Sequence, residues 1–452
     1  MTDFGTSRRT VLKSLGAAGA AGITGLAGCA GLGGSSSPDN MKIGVMQPLS
    51  TSIAYYGQQA LWGFLSGLAY KGDTDPIADP GTGTHEVEIE GTTYELVVRD
   101  TQFDADEAQS IASNLVTDEE VDMLFGCASS SAAQRVVDNV LSATDIPYMA
   151  GPAASASLTS GGESCSNQLF RASENTAMDA RSGGKYVAEE SDVNSVYLFG
   201  ADYSFGKAVV NNYERVLSDA GVEIVGKRFV ESGHSEWEGL LQQAEEAGAE
   251  GVVGGFTVST LPAMFSQFLQ GDYSYRLFGG FATRVATNVL GQTLKGQLGE
   301  PLTEEKLDGV KAGPFTTRYH WNQYDNDINS TFVDQYSSAY GTVPDLFSSG
   351  TFTAASAIVQ AINESGSTDA ADIQDALTGM TVTDTPKGEG GYTFQEYNNQ
   401  ARSEMTVANV APTSDEWSET WQAPIMPSEP LSRVSAEETT IPKDSDQMNC
   451  SL

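Results

Sequence analysis

A serine-rich run, Cys127–Ser131, follows the short apolar segment Met123–Phe125 and holds the residues best suited to chemistry. If the apolar segment is a strand, Ser129 and Ser130 lie where the next helix begins. A serine there caps the helix, and the free amides of the first turn attract a carboxylate or a carbonyl oxygen. Two roles therefore stay open for Ser130, ligand binding and helix capping.

Patterns typical of catalytic and metal sites do not occur in the sequence. The three histidines are far apart, and there is no G-x-S-x-G elbow, metalloprotease helix or phosphate-binding loop. The segment Asp325–Asp327 has calcium-like spacing over too few residues, which favours a solvated turn. We therefore predict a protein that binds rather than reacts, without a cofactor or a metal; a hydrolase that uses the serine run is the remote alternative.

Short apolar runs alternate with amphipathic segments from Met41 onward, and the pattern occurs twice, with a gap near 171–178. Strands that are apolar throughout and separated by helices indicate parallel sheets covered on both faces. The predicted strands are Lys42–Met46, Tyr94–Arg99, Met123–Phe125, Ile146–Met149, Ser195–Phe199, Val222–Phe229, Gly251–Gly254 and Arg276–Phe278. The fold class is therefore α/β, with two doubly wound lobes joined by a hinge.

The rhythm changes after about Gly313, where two helices precede a stretch rich in glycine and threonine. The simplest account is a chain that crosses back to the first lobe and then returns to the second. We assign residues 41–172 and 314–385 to the N-terminal lobe, and residues 173–313 and 386–445 to the C-terminal lobe.

The N-terminus has the order of an export signal. Arg8 and Arg9 precede Val11, Leu12 and a lysine, as in a twin-arginine signal, and a weakly apolar run follows. That run is shorter than the ~20 residues that span a bilayer. It ends in Leu26-Ala27-Gly28-Cys29, which is similar to the site where a lipoprotein is cut and acylated. Residues 1–28 are predicted to be a signal peptide, Cys29 a lipid anchor and residues 29–40 a flexible tether, placing the protein on the outer face of the cell membrane; a cytoplasmic protein with a chance cysteine is the alternative.

The composition is strongly acidic: 60 Asp and Glu face 24 Lys and Arg, a net charge of −36. Like charge at this density destabilises a compact chain unless salt screens it, which favours a high-salt habitat, as in halophilic archaea. Nucleic acid and anionic membrane surfaces are unfavourable partners on charge alone. Among the other cysteines, Cys165 with Cys450 is the favoured disulfide because it would tie down the tail; three free thiols, Cys127 included, are the alternative.

Five motifs carry a resemblance to a known family: Val97–Asp100, Phe125–Ser131, Pro152–Ala156, Asp202–Gly206 and Val252–Phe256. Together they resemble the solute-binding proteins of branched-chain amino acid ABC importers, which have the type I periplasmic binding fold. The two loop motifs, Phe125–Ser131 and Pro152–Ala156, are the most specific of the five. The resemblance covers most of residues 41–410.

The resemblance implies a ligand site between the lobes. Ser130 would bond a ligand carboxylate, Ala153 would contribute its backbone and Ser155 its hydroxyl, although an ordinary loop hydroxyl is the alternative for Ser155. Aromatic rings would wall the pocket, with core packing as the alternative for each. The complete predicted set is Tyr56, Ser129, Ser130, Ala153, Ala154, Ser155, Phe205, Phe256, Phe281 and Phe347.

One departure concerns the family's acidic residue, which holds the ligand ammonium. Phe281 stands at the expected place, and a buried ammonium needs a partner. The nearby Arg284 would favour an acidic ligand, whereas amides, urea or quaternary cations would suit an aromatic pocket. The resemblance implies a protein that passes an amino acid, amide or urea to the permease and ATPase subunits of an ABC importer; a ligand-sensing receptor of the same fold is the alternative.

Overall fold

The structure is a computed structural model that describes Pro38 and residues 40–452. The predicted signal peptide and Cys29 lie outside the described residues, as does nearly all of the tether. Within the described part of the chain, no helix is both long enough and apolar enough to cross a membrane.

The described chain alternates strands and helices, as the sequence predicts. The strands are β1 Asn40–Gln47, β2 Gly83–Ile89, β3 Thr92–Asp100, β4 Met123–Gly126, β5 Tyr148–Ala150, β6 Leu169–Phe170, β7 Ser195–Ala201, β8 Glu223–Val230, β9 Gly251–Gly255, β10 Arg276–Gly280, β11 Ala312–Thr317, β12 Thr381–Val382, β13 Tyr392–Phe394, β14 Ala401–Ser403, β15 Met405–Ala408, β16 Val410–Pro412, β17 Ile425–Pro427 and β18 Ser432–Val434. The helices are α1 Ala54–Gly72, α2 Ala105–Thr117, α3 Ser130–Asn139, α4 Ser157–Ser160, α5 Thr176–Asp179, α6 Lys185–Glu190, α7 Ser204–Asp219, α8 Glu238–Glu246, α9 Leu261–Gln270, α10 Arg284–Leu298, α11 Glu304–Asp308, α12 Asp327–Tyr340, α13 Ser348–Ser365, α14 Ala370–Leu377, α15 Ser418–Trp421 and α16 Ala436–Thr439.

The first lobe is built on a six-stranded sheet in the order β2-β3-β1-β4-β5-β6. All neighbours run parallel except the β2–β3 hairpin. Successive side chains of a strand point to opposite faces. Leu96 and Val98 therefore pack under α1 and α13, whereas Val97 packs under α2 and α3. Burial on both faces explains why these strands are apolar throughout.

The second lobe is built on a seven-stranded sheet in the order β18-β15-β11-β10-β9-β7-β8. Strands β7 to β11 run parallel, and β15 and β18 add to the edge in antiparallel direction. Its faces are also both covered: Leu198 and Val253 pack with α7, and Phe199 and Val252 pack with α8 and α9. The predicted α/β architecture of two parallel-sheet lobes is confirmed.

We propose that the chain passes between the sheets three times, with two of the crossings later than the sequence predicts. Strand β11 pairs with β10 of the second sheet, although a boundary was expected at 313/314. Tyr392 and Phe394 lie in the core of the first lobe, beyond the expected boundary at 385/386. We propose crossings at residues 171–179, 318–326 and 403–405.

The C-terminal tail is fastened to both lobes. Cys165 and Cys450 form a disulfide with their Cα atoms 5.1 Å apart, and Cys127 is a buried free thiol. The amide of Asn449 donates a hydrogen bond to the carbonyl of Ser160 (2.9 Å). On the second lobe, Arg215 of α7 pairs with the carboxylate of Asp446.

Candidate functional site

A cleft lies between the two sheets, where the carboxyl ends of their parallel strands meet. In open α/β sheets, ligands bind at this edge. Six strands end there: β4 and β5 of the first lobe and β7, β9, β10 and β11 of the second. The cleft is lined by the residues that directly follow β9, β10 and β11. The cavity has a volume of about 120 Å³. An engineered protein cavity of roughly 150 Å³ binds benzene, so the cleft suits a small solute.

The serine run divides its two predicted roles between two residues. A left-handed turn at Cys127 (φ 63°) directs the chain from β4 into α3. Ser129 caps the helix, since its Oγ accepts a hydrogen bond from the amide of Ala132 (3.3 Å), and it does not line the cleft. Ser130 lines the cleft, and its Oγ accepts a hydrogen bond from the amide of Ser155 (3.0 Å). The hydroxyl proton of Ser130 is therefore available to a ligand oxygen.

The loop after β5 contributes less of its side-chain surface than the sequence suggests. Ala154 lines the cleft, whereas Ala153 is fully buried in the core of the first lobe. The Oγ of Ser155 is hydrogen-bonded to that of Ser157 (2.8 Å), and the residue does not line the cleft. Arg171 holds the loop from behind by donating to the carbonyls of Ala153 (2.9 Å) and Ser155 (2.6 Å).

All five predicted aromatic residues line the cleft. They are Tyr56 and Phe347 from the first lobe and Phe205, Phe256 and Phe281 from the second. The rings of Tyr56 and Phe347 are 5.5 Å apart between centroids. Burial raises the pKa of the Tyr56 hydroxyl to about 12, so it stays protonated at neutral pH.

Hydrogen bonds join the lobes across the mouth of the cleft. The hydroxyl of Tyr56 accepts from the amide of Val258 (3.0 Å), and the hydroxyls of Ser131 and Ser204 are 3.1 Å apart. Arg284 also spans the lobes, with its Nε donating to the hydroxyl of Tyr55 (3.2 Å). Arg284 does not line the cleft, so the structure does not place it where a ligand carboxylate would bind.

Two charged residues that the sequence interpretation missed line the cleft. Arg318 donates from Nε (3.0 Å) and Nη2 (2.6 Å) to the carboxylate of Asp179, and less than a tenth of either side chain is exposed. Burial lowers the pKa of Arg318, but the charge and hydrogen bonds of Asp179 outweigh it and keep the pKa above its usual value. Arg318 directly follows β11, so the strand-end rule would have identified it had β11 been predicted.

The backbone beside Asp179 is also unusual. Residues Ala180–Gly184 form a π-helical turn. This conformation is rare in proteins overall, and where it occurs it is often found at a functional site. Gly183 of this turn lies against β11, where an added Cβ would be 2.8 Å from the Cβ of Thr316. The close approach of the turn to β11 brings Asp179 within reach of Arg318.

Residues 40–415 match the family model described as periplasmic binding protein. The chain belongs to the periplasmic binding protein family. The resemblance drawn from the sequence motifs is thereby confirmed, and the two-lobed fold is that of the type I members of the family.

Known members of the periplasmic binding protein family share the length of the chain at low identity. The leucine-, isoleucine-, valine-, threonine- and alanine-binding protein of Pseudomonas aeruginosa is 22% identical over 377 residues, covering 82% of this chain and 90% of the relative. A periplasmic binding protein from Burkholderia mallei superposes with a TM-score of 0.72 at 19% identity, covering 92% and 99% of the two chains. A solute-binding protein of an ABC transporter from Rhodopseudomonas palustris, in complex with 3,4-dihydroxybenzoic acid, gives 0.68 at 17% identity, covering 88% and 98%.

Proposed function

We propose that this periplasmic binding protein captures a small organic solute between its lobes, outside the cytoplasm, and delivers it to the permease and ATPase subunits of an ABC importer. The observation that carries the proposal is the cleft itself. Residues at strand ends of both lobes line it, and hydrogen bonds that Tyr56 and Ser131 form with the second lobe join the lobes across its mouth. Hinge closure around a ligand is the common motion of such two-lobed proteins.

The relatives support a small ligand of the amino acid or organic acid kind. The Pseudomonas relative is named for five amino acids, and the Rhodopseudomonas structure contains an aromatic acid. The proposed ligand contacts remain Ser130, Ala154 and the five aromatic residues, with Arg318 added. Ser129, Ala153 and Ser155 would not touch the ligand themselves; they would hold Ser130 and Ala154 in position.

A thermal-shift panel in molar salt tests solute capture. It compares branched-chain and acidic amino acids, amides, urea, betaines and small carboxylic acids. A ligand at 100 times its Kd stabilises the folded state by roughly 2.7 kcal/mol, which raises the melting temperature measurably. Ser130→Ala should weaken the ligand that appears, with Ser142→Ala, an exposed serine after α3, as the matched control. A panel without any stabilising solute would contradict the proposal.

Delivery to an importer, rather than signalling, is tested in cells. Deleting the gene should abolish uptake of the radiolabelled ligand. The changes in transcription that the ligand causes in the cell should stay the same. The reverse result would favour a ligand-sensing receptor of the same fold.

The location is tested separately through Cys29. We propose export by the twin-arginine route and a lipid on this residue, on the basis of the Arg8-Arg9 pair and the Leu26–Cys29 segment. Cys29→Ala should release the protein from the membrane fraction to the medium, and replacing Arg8 and Arg9 by Lys should leave it inside the cell. Unchanged fractionation of both variants would argue against the anchor and the export route.

A further inference from the structure

A second cavity lies in the second lobe, directly behind the cleft. Its volume is about 70 Å³. It shares five lining residues with the cleft, namely Gly254, Leu261, Gly280, Phe281 and Ala282. We call this second cavity the apolar compartment.

The rest of the apolar compartment is lined by hydrocarbon. Thr287 is the one residue of its lining with a polar side chain, and its hydroxyl donates to the carbonyl of Ala282 (3.1 Å). The other lining residues include Leu277, Leu290 and Phe315. A cavity with so little polar surface offers a water molecule few hydrogen bonds and favours apolar atoms of a ligand.

Phe281 separates the cleft from the apolar compartment. Its backbone is held, since its amide donates to the carbonyl of Thr316 (2.9 Å), and its ring is half-buried against the edges of Phe315 and His320. Gly254 keeps the boundary thin, because an added Cβ would lie 3.2 Å from the ring of Phe256 and 3.3 Å from the sulfur of Met264. Phe281 is the largest of the five side chains that line both cavities, so a ligand that extends from one into the other would have to displace its ring.

Buried charged side chains lie on the other side of the cleft. The buried charged side chains at the crossings are Arg171, Arg318 and Lys387 against Glu174 and Asp179. Lys387 pairs with Glu174 (2.7 Å) and Arg318 pairs with Asp179, while the four partners of Arg171 are carbonyls, a hydroxyl and an amide. Arg171 thus has no carboxylate partner among the described residues, but the fully buried carboxylate of Asp345 balances its charge, so the case for an anion site rests on Arg318.

Arg318 also has a free donor. Its Nη1 is buried without a hydrogen-bond partner among the described residues, and the residue lines the cleft. A buried donor without a partner is costly, and a hydrogen bond from a guanidinium to a carboxylate is among the stronger ones. Asp345, the other buried carboxylate near the cleft, accepts the backbone amides of Arg284 (2.7 Å) and Leu346 (2.7 Å), so it is not offered to a ligand ammonium.

We infer that the ligand is an amphipathic monocarboxylate without an amine, whose carboxylate binds Arg318 and Ser130 and whose apolar body enters the compartment behind Phe281. The inference rests on the proposed function and names the ligand class for the same cleft. It replaces the ammonium site of an amino acid receptor with an apolar one, as expected from a phenylalanine at position 281.

Calorimetric titration in molar salt distinguishes the ligand classes with matched probes. Leucine, 4-methylpentanoate and 4-methylpentanamide share one branched apolar body and differ in the amine or the acid. We expect the acid to bind at least about tenfold more tightly than the amide and than leucine. Equal binding of the amide removes the role of Arg318, and tighter binding of leucine shows that the amine is recognised; either result overturns the inference and leaves the proposed function standing. If no solute of the whole panel binds, the proposed function falls as well.

The apolar compartment is tested with chain length. Leu290→Phe fills it from α10, and Val289→Phe, at the exposed neighbouring position, is the matched control. We expect Leu290→Phe to weaken the affinity for octanoate by about tenfold or more and the affinity for butanoate by less than about threefold. The control variant should change neither affinity. Phe281→Ala, which opens the boundary, should raise the ratio of octanoate to butanoate affinity. A ratio unchanged in both variants contradicts the compartment.

The anion site is tested with a charge-neutral double variant. Arg318→Gln with Asp179→Asn removes both charges of the buried pair, so neither is left alone. Preference for the acid over its amide should disappear in this variant while binding of the amide is retained. A preference that persists shows that another group holds the carboxylate.

Discussion

Arg171 shows how a single residue supports the cleft without lining it. It is fully buried, and its guanidinium donates to the carbonyls of Ala153 and Ser155, to the hydroxyl of Thr159 and to Gln400. Burial, together with the nearby charge of Arg318, lowers its pKa to about 9, so it remains charged at neutral pH. Arg171 is therefore a positioning residue for the loop that contains Ala154.

Replacing Arg171 by Met should both destabilise the fold and weaken ligand binding. The buried carbonyl of Ala153 would lose its donor, at a cost of about 1–3 kcal/mol, and that of Ser155 would keep only the amide of Leu158 (3.3 Å). Denaturant unfolding measures the first effect and titration of the bound ligand the second. Arg135→Met is the matched control, since its ion pair with Asp106 is largely exposed and contributes little. Equal effects of the two changes would show that Arg171 does not support the loop.

His320 is a second residue whose surroundings decide its chemistry. It packs among Phe281, Trp321 and Trp421, and neither ring nitrogen has a hydrogen-bond partner among the described residues. Burial lowers its pKa from 6.5 to about 3. The unfolded chain thus binds a proton that the folded protein does not, so stability falls as the pH drops from 6.5 towards 3.

His320→Phe should remove this acid sensitivity. Relative to the variant, the unmodified protein should lose about 2 kcal/mol of unfolding free energy between pH 8 and pH 5. Urea unfolding at a series of pH values measures the difference, and His85→Phe on β2 controls for the loss of a histidine elsewhere. Parallel pH profiles for His320→Phe and the unmodified protein would show that His320 is protonated alike in both states.

At the scale of elements, the helix pair α1 and α13 sets the core of the first lobe. α13 is buried along almost its whole length, and glycines of α1 allow its close approach. A Cβ at Gly67 would lie 2.5 Å from the carbonyl oxygen of Phe352, and a Cβ at Gly63 would lie 2.3 Å from the hydroxyl of Thr351. These glycines are required by packing and not by their backbone dihedrals.

Gly67→Ala should therefore destabilise the protein although alanine favours helices. Overpacking at such a contact costs about 1–3 kcal/mol. Gly296→Ala in α10 is the opposite case, since a Cβ there meets nothing within 4 Å, and it should stabilise by about 0.5–1 kcal/mol. Thermal unfolding of both variants gives the two signs. A stabilising effect at Gly67 would mean that the helices separate easily.

Secondary-structure elements can be predicted from the sequence where their burial produces a regular pattern of apolar residues, and they are missed where it does not. Met123–Phe125 and Arg276–Phe278 lie within β4 and β10 because both faces of those strands are covered. Strands β13 and β14 have three residues each, too few to show a period. The two strands pair locally, but their attachment to the first lobe depends on a contact far apart in the sequence, the bridge between Arg171 and Gln400.

The same reasoning explains which site residues were found. Phe205 and Phe256 stand in segments that carry family motifs, and Phe281 closely follows a predicted strand; all three are predicted cleft residues and do line the cleft. Arg318 and Asp179 are 139 positions apart, and only the fold brings them together. A buried ion pair of this kind leaves no local signal in the sequence.

For the whole molecule, charge is the dominant physical property. The 60 acidic side chains exceed the 24 Lys and Arg side chains by 36. Like charges also face each other locally: Glu86 of β2 lies directly opposite Glu95 of β3 in the antiparallel register, an arrangement that is destabilising, and the ion pair of Glu95 with Lys42 (3.4 Å) offsets only part of it. Salt shortens the screening distance from about 10 Å at 0.1 M to about 3 Å at 1 M.

We therefore expect the unfolding free energy to rise steadily as KCl increases from 0.1 M to 2 M. Salt weakens the ion pairs as well, but acidic side chains exceed basic ones by 36, so relief of repulsion decides the sign. Glu86→Gln should stabilise the protein at 0.1 M KCl and have little effect at 2 M, because the repulsion that it removes is then already screened. Denaturation with urea, which carries no charge, measures both series. A Glu86→Gln effect of equal size at the two salt concentrations would place its origin in packing and not in charge.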